Sequence, residues 1–350
     1  MKNQSFSRKY RKTLILIIII IFFLPFIKKK RIGVIGLHHC HNIGNNLLKY
    51  AIYIKLSEFG LKPYIVGTIY NHNDISFLKN YTNCKIIKNN FTEIKKKEYD
   101  ILMVNSDQTW RRFDKNFFDI GFLKFAQNWS IPKFVYGASF GYNQWRIKNE
   151  EENLIKKLLK NFTGISVREK GAVNLVKKHL DIKAIFVLDP TLLIDKKYYL
   201  KIIKDYKPDF KEEKFIFTYI LKNEINTKNF IKEVSRKLGY KIYNVKFFEK
   251  NSIKKFIYGI VNSNAVITNS FHGTVFSIIF KKPFVTFFFK NSPKERLISL
   301  KNALQIKGRF FEYNQTPDIK LLTTPLEINI KLLNSLRIKS INYLKQNLGI

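Results

Sequence analysis

From Arg31 onward the chain alternates short apolar runs with longer stretches whose apolar residues recur at helical spacing. That alternation constrains the fold more than any other feature. Residues 32–37 form a buried-strand run, and 47–59 keep a helical period until Gly60 stops it. Residues 64–67, 101–105, 134–139, 164–167 and 185–188 read as further strands, with helices at 150–161 and 170–180 between them. Strands separated by helices of this length pair in parallel, in a sheet covered on both faces.

A charge-rich stretch, 205–214 with Pro208 inside it, reads as a linker, and the alternation then restarts. Strands are expected at 215–221, 241–245, 265–268 and 284–289. Helices are expected at 227–238, 252–262, from about His272, and at 293–304. This pattern predicts two doubly wound, Rossmann-like α/β domains, 31–204 and 215–325, followed by a C-terminal helix within 326–350. Their tandem order suggests a GT-B-like arrangement with the active site in the cleft between them.

Apolar residues at 45% and charged residues at 25% describe a folded protein, while the net charge of +37 is extreme. The lysines are spread along the chain beside abundant Asn, Ile, Phe and Tyr, residues that share AT-rich codons. No basic run interleaved with aromatics forms a nucleic-acid module, so the charge points to acidic ligands and no further. Two cysteines, Cys40 and Cys84, make neither a disulfide framework nor a CxxC pair. Residues 13–27 are an unbroken apolar run, with Arg8, Lys9, Arg11 and Lys12 before it and Lys28, Lys29, Lys30 and Arg31 after it. The run is short for a hydrocarbon core about 30 Å thick, but flanking lysines can snorkel. No small-x-small cleavage site follows, so 1–30 reads as a basic N-terminus with an uncleaved membrane anchor.

Five groups of residues fall just past the C-terminal ends of expected strands, where open α/β sheets bind ligands. Asn42, Gly44 and Asn45 form a glycine-containing turn into a helix, which offers backbone N–H groups to an anion. The neighbouring His38, His39, Cys40 and His41 are too closely spaced to converge on one metal. Ser106, Asp107 and Gln108 can hold hydroxyls, with Trp110 as a stacking face, or can form an Asx-turn. The small residues of Tyr136-Gly-Ala-Ser-Phe-Gly permit close approach. Arg168 and Glu169, with Asp189 later, offer a guanidinium fork for a carboxylate or phosphate, or a structural ion pair. Ser270, His272, Gly273 and Thr274 place a histidine at a helix start, suited to proton transfer near neutral pH.

In this order and spacing, Asn42-Ile-Gly-Asn, Ser106-Asp-Gln-Thr-Trp, Tyr136-Gly-Ala-Ser-Phe-Gly, Ser166-Val-Arg-Glu, Asp189-Pro-Thr and Ser270-Phe-His-Gly-Thr resemble the polysaccharide pyruvyl transferase family. Lys282-Pro-Phe and Arg296 continue the resemblance, which covers roughly residues 31–309. It implies phosphoenolpyruvate as donor substrate, no separate cofactor or metal, and a glycan or lipid-linked sugar as acceptor. The expected roles are His272 as acid/base, Asp107 as second base or hydroxyl ligand, and Arg168 with the N–H groups around Gly44 and Gly273 on the donor. Characterised members often carry Arg directly before the bulky-His pair, where this chain has Ser270. Because phosphoenolpyruvate is cytosolic, the catalytic domain is expected on the cytosolic side of a membrane held through 13–27. Two rival readings remain, a GT-B glycosyltransferase using a nucleotide sugar and a non-catalytic component of a polysaccharide assembly complex.

Overall fold

A computed structural model of the chain describes residues 28–37, 42–68, 75–88, 90–111, 116–210, 213–246 and 249–350. The first half builds strands β1 (Arg31–Ile35), β2 (Lys62–Thr68), β3 (Cys84–Ile87), β4 (Ile101–Val104), β5 (Lys133–Ala138), β6 (Gly164–Val167) and β7 (Ile185–Phe186). Helices α1 (Ile43–Glu58), α2 (Ser76–Tyr81), α3 (Phe117–Phe122), α4 (Asn149–Leu159), α5 (Lys170–Leu180) and α6 (Lys196–Ile202) connect or follow them. The strands form one parallel sheet in the order β3-β2-β1-β4-β5-β6-β7.

The second half repeats the scheme with β8 (Phe215–Tyr219), β9 (Lys241–Asn244), β10 (Ala265–Thr268), β11 (Phe284–Phe288) and β12 (Phe310–Glu312). Its helices are α7 (Ile225–Leu238), α8 (Ser252–Asn262), α9 (Phe271–Ile279), α10 (Glu295–Leu304) and α11 (Ile330–Leu348). The order is β12-β11-β10-β8-β9, again all parallel. Strand order reverses between β1 and β4 in one sheet and between β8 and β10 in the other. Each reversal opens a crevice at the carboxyl ends of the strands.

The halves share a core. One apolar cluster joins Ile32 and Phe134 of the first sheet to Phe217 and Phe284 of the second, through α1, α8 and α9. Tyr199 of α6 packs edge-on against Phe276 of α9, with ring centroids 4.7 Å apart. Helix α11 returns to the first sheet. There Tyr343 Oη donates to the Val135 carbonyl (2.7 Å), and Ser340 Oγ accepts from the Leu188 N–H (2.9 Å).

Helix α1 starts at Ile43 rather than at residue 47, because the Asn42 side chain caps it by accepting the Asn45 N–H at 2.9 Å. Its first turn carries Gly44, Asn45 and Asn46, buried polar or small residues that interrupt the apolar period. The edge strands β3 and β12 have no counterpart in the sequence reading; most of their residues are only half-buried, so the apolar pattern is weak. Among the described residues no helix is long and apolar enough to cross a membrane. The expected anchor at 13–27 and the run His38–His41 lie outside the described residues.

Candidate active site

The two crevices open into a single cavity of about 710 Å³. The turn after β1 brings Asn42, Gly44 and Asn45 to it, and the turn after β4 brings Asp107 and Gln108. From the second sheet, Ser270 and His272 arrive at the start of α9. Seven of the thirteen site residues expected from the sequence therefore line one space, although they come from distant parts of the chain.

Gly44 is required there, since a Cβ at this position would overlap the His272 imidazole. The two helix N-termini, α1 and α9, thus meet across the cleft at a ring-to-backbone contact. Ser270 caps α9 by accepting the Gly273 N–H at 3.4 Å, and its own N–H donates to Thr268 Oγ1 at 3.0 Å. Thr274 Oγ1 donates back to the Ser270 carbonyl (3.0 Å). Gly273 and Thr274 therefore build the helix start and do not face the cavity.

Arg168 also lies behind the cavity wall. Its guanidinium is buried, donates to Asp189 Oδ2, and reaches Asp107 Oδ1 at 3.1 Å. This is the structural ion pair that the sequence left open, and it ties the ends of β4, β6 and β7 together. Burial would lower the Arg168 pKa, but Asp189 and Asp107 outweigh it and hold the charge. Burial alone would raise the Asp107 pKa, yet Arg168 and Arg296 pull it well below the usual carboxylate range. Asp107 also accepts the Gln108 N–H (2.9 Å) and Asn45 Nδ2 (3.0 Å). Its φ of 111° is unusual for a residue with a side chain, and such backbone strain costs about 1–3 kcal/mol. Glu169 is buried, accepts from Ser139 Oγ, and is pushed toward its neutral form by desolvation. Ser106 ties β4 to β5 by donating to the Gly137 carbonyl (2.9 Å).

Arg296 of α10 lines the cavity, together with Arg111 and Lys294. Its nearest carboxylate oxygen, Asp107 Oδ1, is 3.7 Å away, beyond hydrogen-bond range, and its buried Nε has no partner. Burial, and then repulsion from Arg168, lower its pKa to about 10, so it stays charged at neutral pH. Both guanidiniums lie against the Phe271 ring, Arg168 at 4.9 Å and Arg296 at 5.2 Å. His272 is 6% exposed, and burial lowers its pKa to about 4. Burial thus favours the neutral form of His272, placing its pKa below the near-neutral titration that the sequence suggests. The expected stacking face is corrected, because Trp110 is a core residue. Its Nε1 donates to the Gly121 carbonyl (2.9 Å), and it stacks on Phe122. The aromatic wall of the cavity comes instead from Tyr219, Phe288 and Phe289.

An α/β chain with two parallel sheets and a site at both strand-order reversals belongs with proteins of GT-B-like architecture. S. aureus MnaA in its co-structure with UDP superposes with a TM-score of 0.52 at 14% identity, covering 92% of this chain and 97% of the other. UDP-GlcNAc 2-epimerase from Neisseria meningitidis bound to UDP-GlcNAc gives 0.53 at 10% identity, over 91% and 99% of the two chains. At these identities the likeness is one of fold. A sequence model of the polysaccharide pyruvyl transferase family matches residues 42–287, from the capping turn of α1 to the end of β11. The chain belongs to that family, and it is a transferase of that class. Protein Ycf2 of Physcomitrium patens is 23% identical over 235 residues, which is 60% of this chain and 10% of that relative's length.

Sequence reasoning named Arg296 only as part of a pattern and gave it no role. Its position at the start of a helix after β11 was the available signal, since that is the same strand-end logic that found the other groups.

Proposed function

We propose that the chain transfers a pyruvyl group from phosphoenolpyruvate to two hydroxyls of one sugar, in a cell-surface polysaccharide or its lipid-linked precursor. One observation carries this reading: two helix N-termini, the incompletely paired Arg296 and the His272 imidazole converge on one cavity. The donor carries a carboxylate and a phosphate. Helix N-termini and a guanidinium that is not hydrogen-bonded to a carboxylate suit both. Arg296 supplies the cationic charge that Ser270 does not carry.

Ketal formation protonates the donor's methylene carbon, leaving positive charge on the adjacent carbon, which one sugar hydroxyl attacks. A second hydroxyl of the same sugar then displaces phosphate. His272 is the group placed to move the protons. Asp107, held ionised by two arginines, is a weak base and fits a role accepting hydrogen bonds from the sugar hydroxyls. Arg168 acts on the donor through Asp107 and the local field. The catalytic part is proposed to face the cytosol, where the donor is found, with residues 13–27 at the membrane.

The solved structures of similar fold hold UDP or UDP-GlcNAc, and a nucleotide-sugar donor is the rival reading. Calorimetric titration separates the two. Phosphoenolpyruvate is expected to bind, and UDP-sugars are not. Tight binding of a UDP-sugar, with no phosphoenolpyruvate binding even beside an acceptor glycan, overturns the proposal.

A further inference from the structure

His272 presents two different edges to its surroundings. The Nδ1 edge lies against Gly44, which lines the cavity. The Nε2 edge is buried without a hydrogen-bond partner, and the carboxylate oxygen near it is Asp189 Oδ2, 3.8 Å away. Asp189 is almost fully buried and firmly oriented. Its Oδ1 accepts both the N–H (3.0 Å) and the hydroxyl (2.6 Å) of Thr191, while Oδ2 accepts from Arg168. The imidazole therefore sits between the cavity and an anchored carboxylate, the arrangement by which a third group orients a catalytic base.

We propose that Asp189 is the positioning residue of His272, and that donor binding is what loads the histidine with its second proton. This rests on the reading of phosphoenolpyruvate as donor. The charged groups facing His272 are Asp189 after β7, Arg168 after β6, Asp107 after β4 and Arg296 on α10. The two arginines, added to burial, suppress the imidazolium; the two carboxylates favour it. An anion engaging Arg296 and the helix N-termini offsets that arginine's share and, by its own charge, adds to the two carboxylates in favouring the imidazolium. A shift of Asp189 toward Nε2 by under an ångström would complete a charge-assisted bond from Nε2–H. The second proton, taken from solvent, then sits on Nδ1 at the cavity side. It passes to the donor's methylene carbon. The C=C electron pair forms the new C–H bond, the N–H pair stays on Nδ1, and the positive charge on the adjacent carbon is met by the sugar oxygen. Protonation thus waits for the donor.

The measurement is proton uptake on binding, from calorimetry at mildly acidic pH in two buffers of different ionisation enthalpy. Phosphoenolpyruvate binding to the full chain is expected to take up protons beyond those that His272→Gln takes up. Asp189→Asn is expected to lose that excess while still binding phosphoenolpyruvate, and to lose at least about tenfold in turnover. Equal uptake by wild type and His272→Gln would overturn the proposal, and so would full uptake in Asp189→Asn. If Asp189→Asn does not fold, nitrogen NMR of wild type decides: the empty protein must carry its single imidazole proton on Nε2, and an Nδ1–H form sinks the idea. Inorganic phosphate is the second probe. Phosphate binding with His272-dependent uptake, but no phosphoenolpyruvate binding, keeps this inference and removes the donor reading. Phosphoenolpyruvate binding without that uptake does the reverse, and no binding of either removes both.

Discussion

Two arginines that look equivalent in the sequence do different work. Arg168 neutralises two buried carboxylates, so Arg168→Ala leaves Asp107 and Asp189 without their main partner. Breaking a buried pair from one side costs about 3–5 kcal/mol, and chemical denaturation should register a loss of that order. Among the described residues Arg296 makes no hydrogen bond to a carboxylate, so Arg296→Ala should fold nearly as well. It should weaken phosphoenolpyruvate binding by about tenfold or more in calorimetry, because charge-assisted contacts in a partly dry cleft are strong. A reversed outcome would give Arg168 the donor. Gly44→Ala tests the helix contact, since its methyl group would overlap His272. Activity should fall sharply, with a stability loss of about 1–3 kcal/mol as α1 shifts away. His272 also sets a pH dependence. Its folded pKa, about 4, lies below the ordinary 6.5, so as pH falls the unfolded chain binds that proton first. Stability should decline from about pH 6.5 down through about pH 4, by about 3 kcal/mol in all. His272→Gln should lack that slope in denaturation curves taken across the window.

At the scale of elements, α11 carries a structural load that its position at the end of the chain disguises. It supplies hydroxyls and an amide to the first sheet, with Asn347 Oδ1 accepting from Thr163 Oγ1 at 2.8 Å and Arg337 Nε donating to the Leu192 carbonyl at 2.7 Å. Leu344 and Leu348 lie in the shared core. Removing residues 329–350 should therefore leave the chain insoluble or lower its melting temperature by well over 10 °C, because a buried sheet face loses its cover. Solubility and a circular dichroism melt check this. The sequence indicated a helix here but not what it packs on, since a helical period says nothing about the partner. The same limit explains the other differences. Central strands such as β4 and β10 were legible because both faces are buried and their apolar runs are nearly unbroken. Edge strands β3 and β12 were not, for the opposite reason. Turns at strand ends announced which residues reach the site. Only side-chain geometry showed that Arg168 turns inward to Asp189, that Trp110 enters the core, and that Arg296 faces the cavity.

The molecule as a whole has two sheets, but its energetics couple them. The cluster that unites Ile32 and Phe134 with Phe217 and Phe284 spans both halves, beside a further apolar cluster confined to each. A hydrogen bond from the Lys170 N–H to Ser299 Oγ (3.0 Å) adds a second link, between the start of α5 and the middle of α10. Domain bounds of 31–204 and 215–325 thus describe architecture, and the shared core predicts one cooperative unfolding unit. The three tryptophans make this testable, because Trp110, Trp129 and Trp145 all belong to the first half. Their fluorescence reports the first sheet alone, whereas far-ultraviolet circular dichroism reports both. In urea the two signals should trace a single transition with one midpoint, as a two-state unit requires. Saturating phosphoenolpyruvate should move both curves together, by the linkage between donor binding and folding. If the circular dichroism curve instead splits, with fluorescence following one step only, the halves fold separately. The contact between Gly44 and His272 would then be an interface that opens on its own, and the donor should shift only the step that closes it.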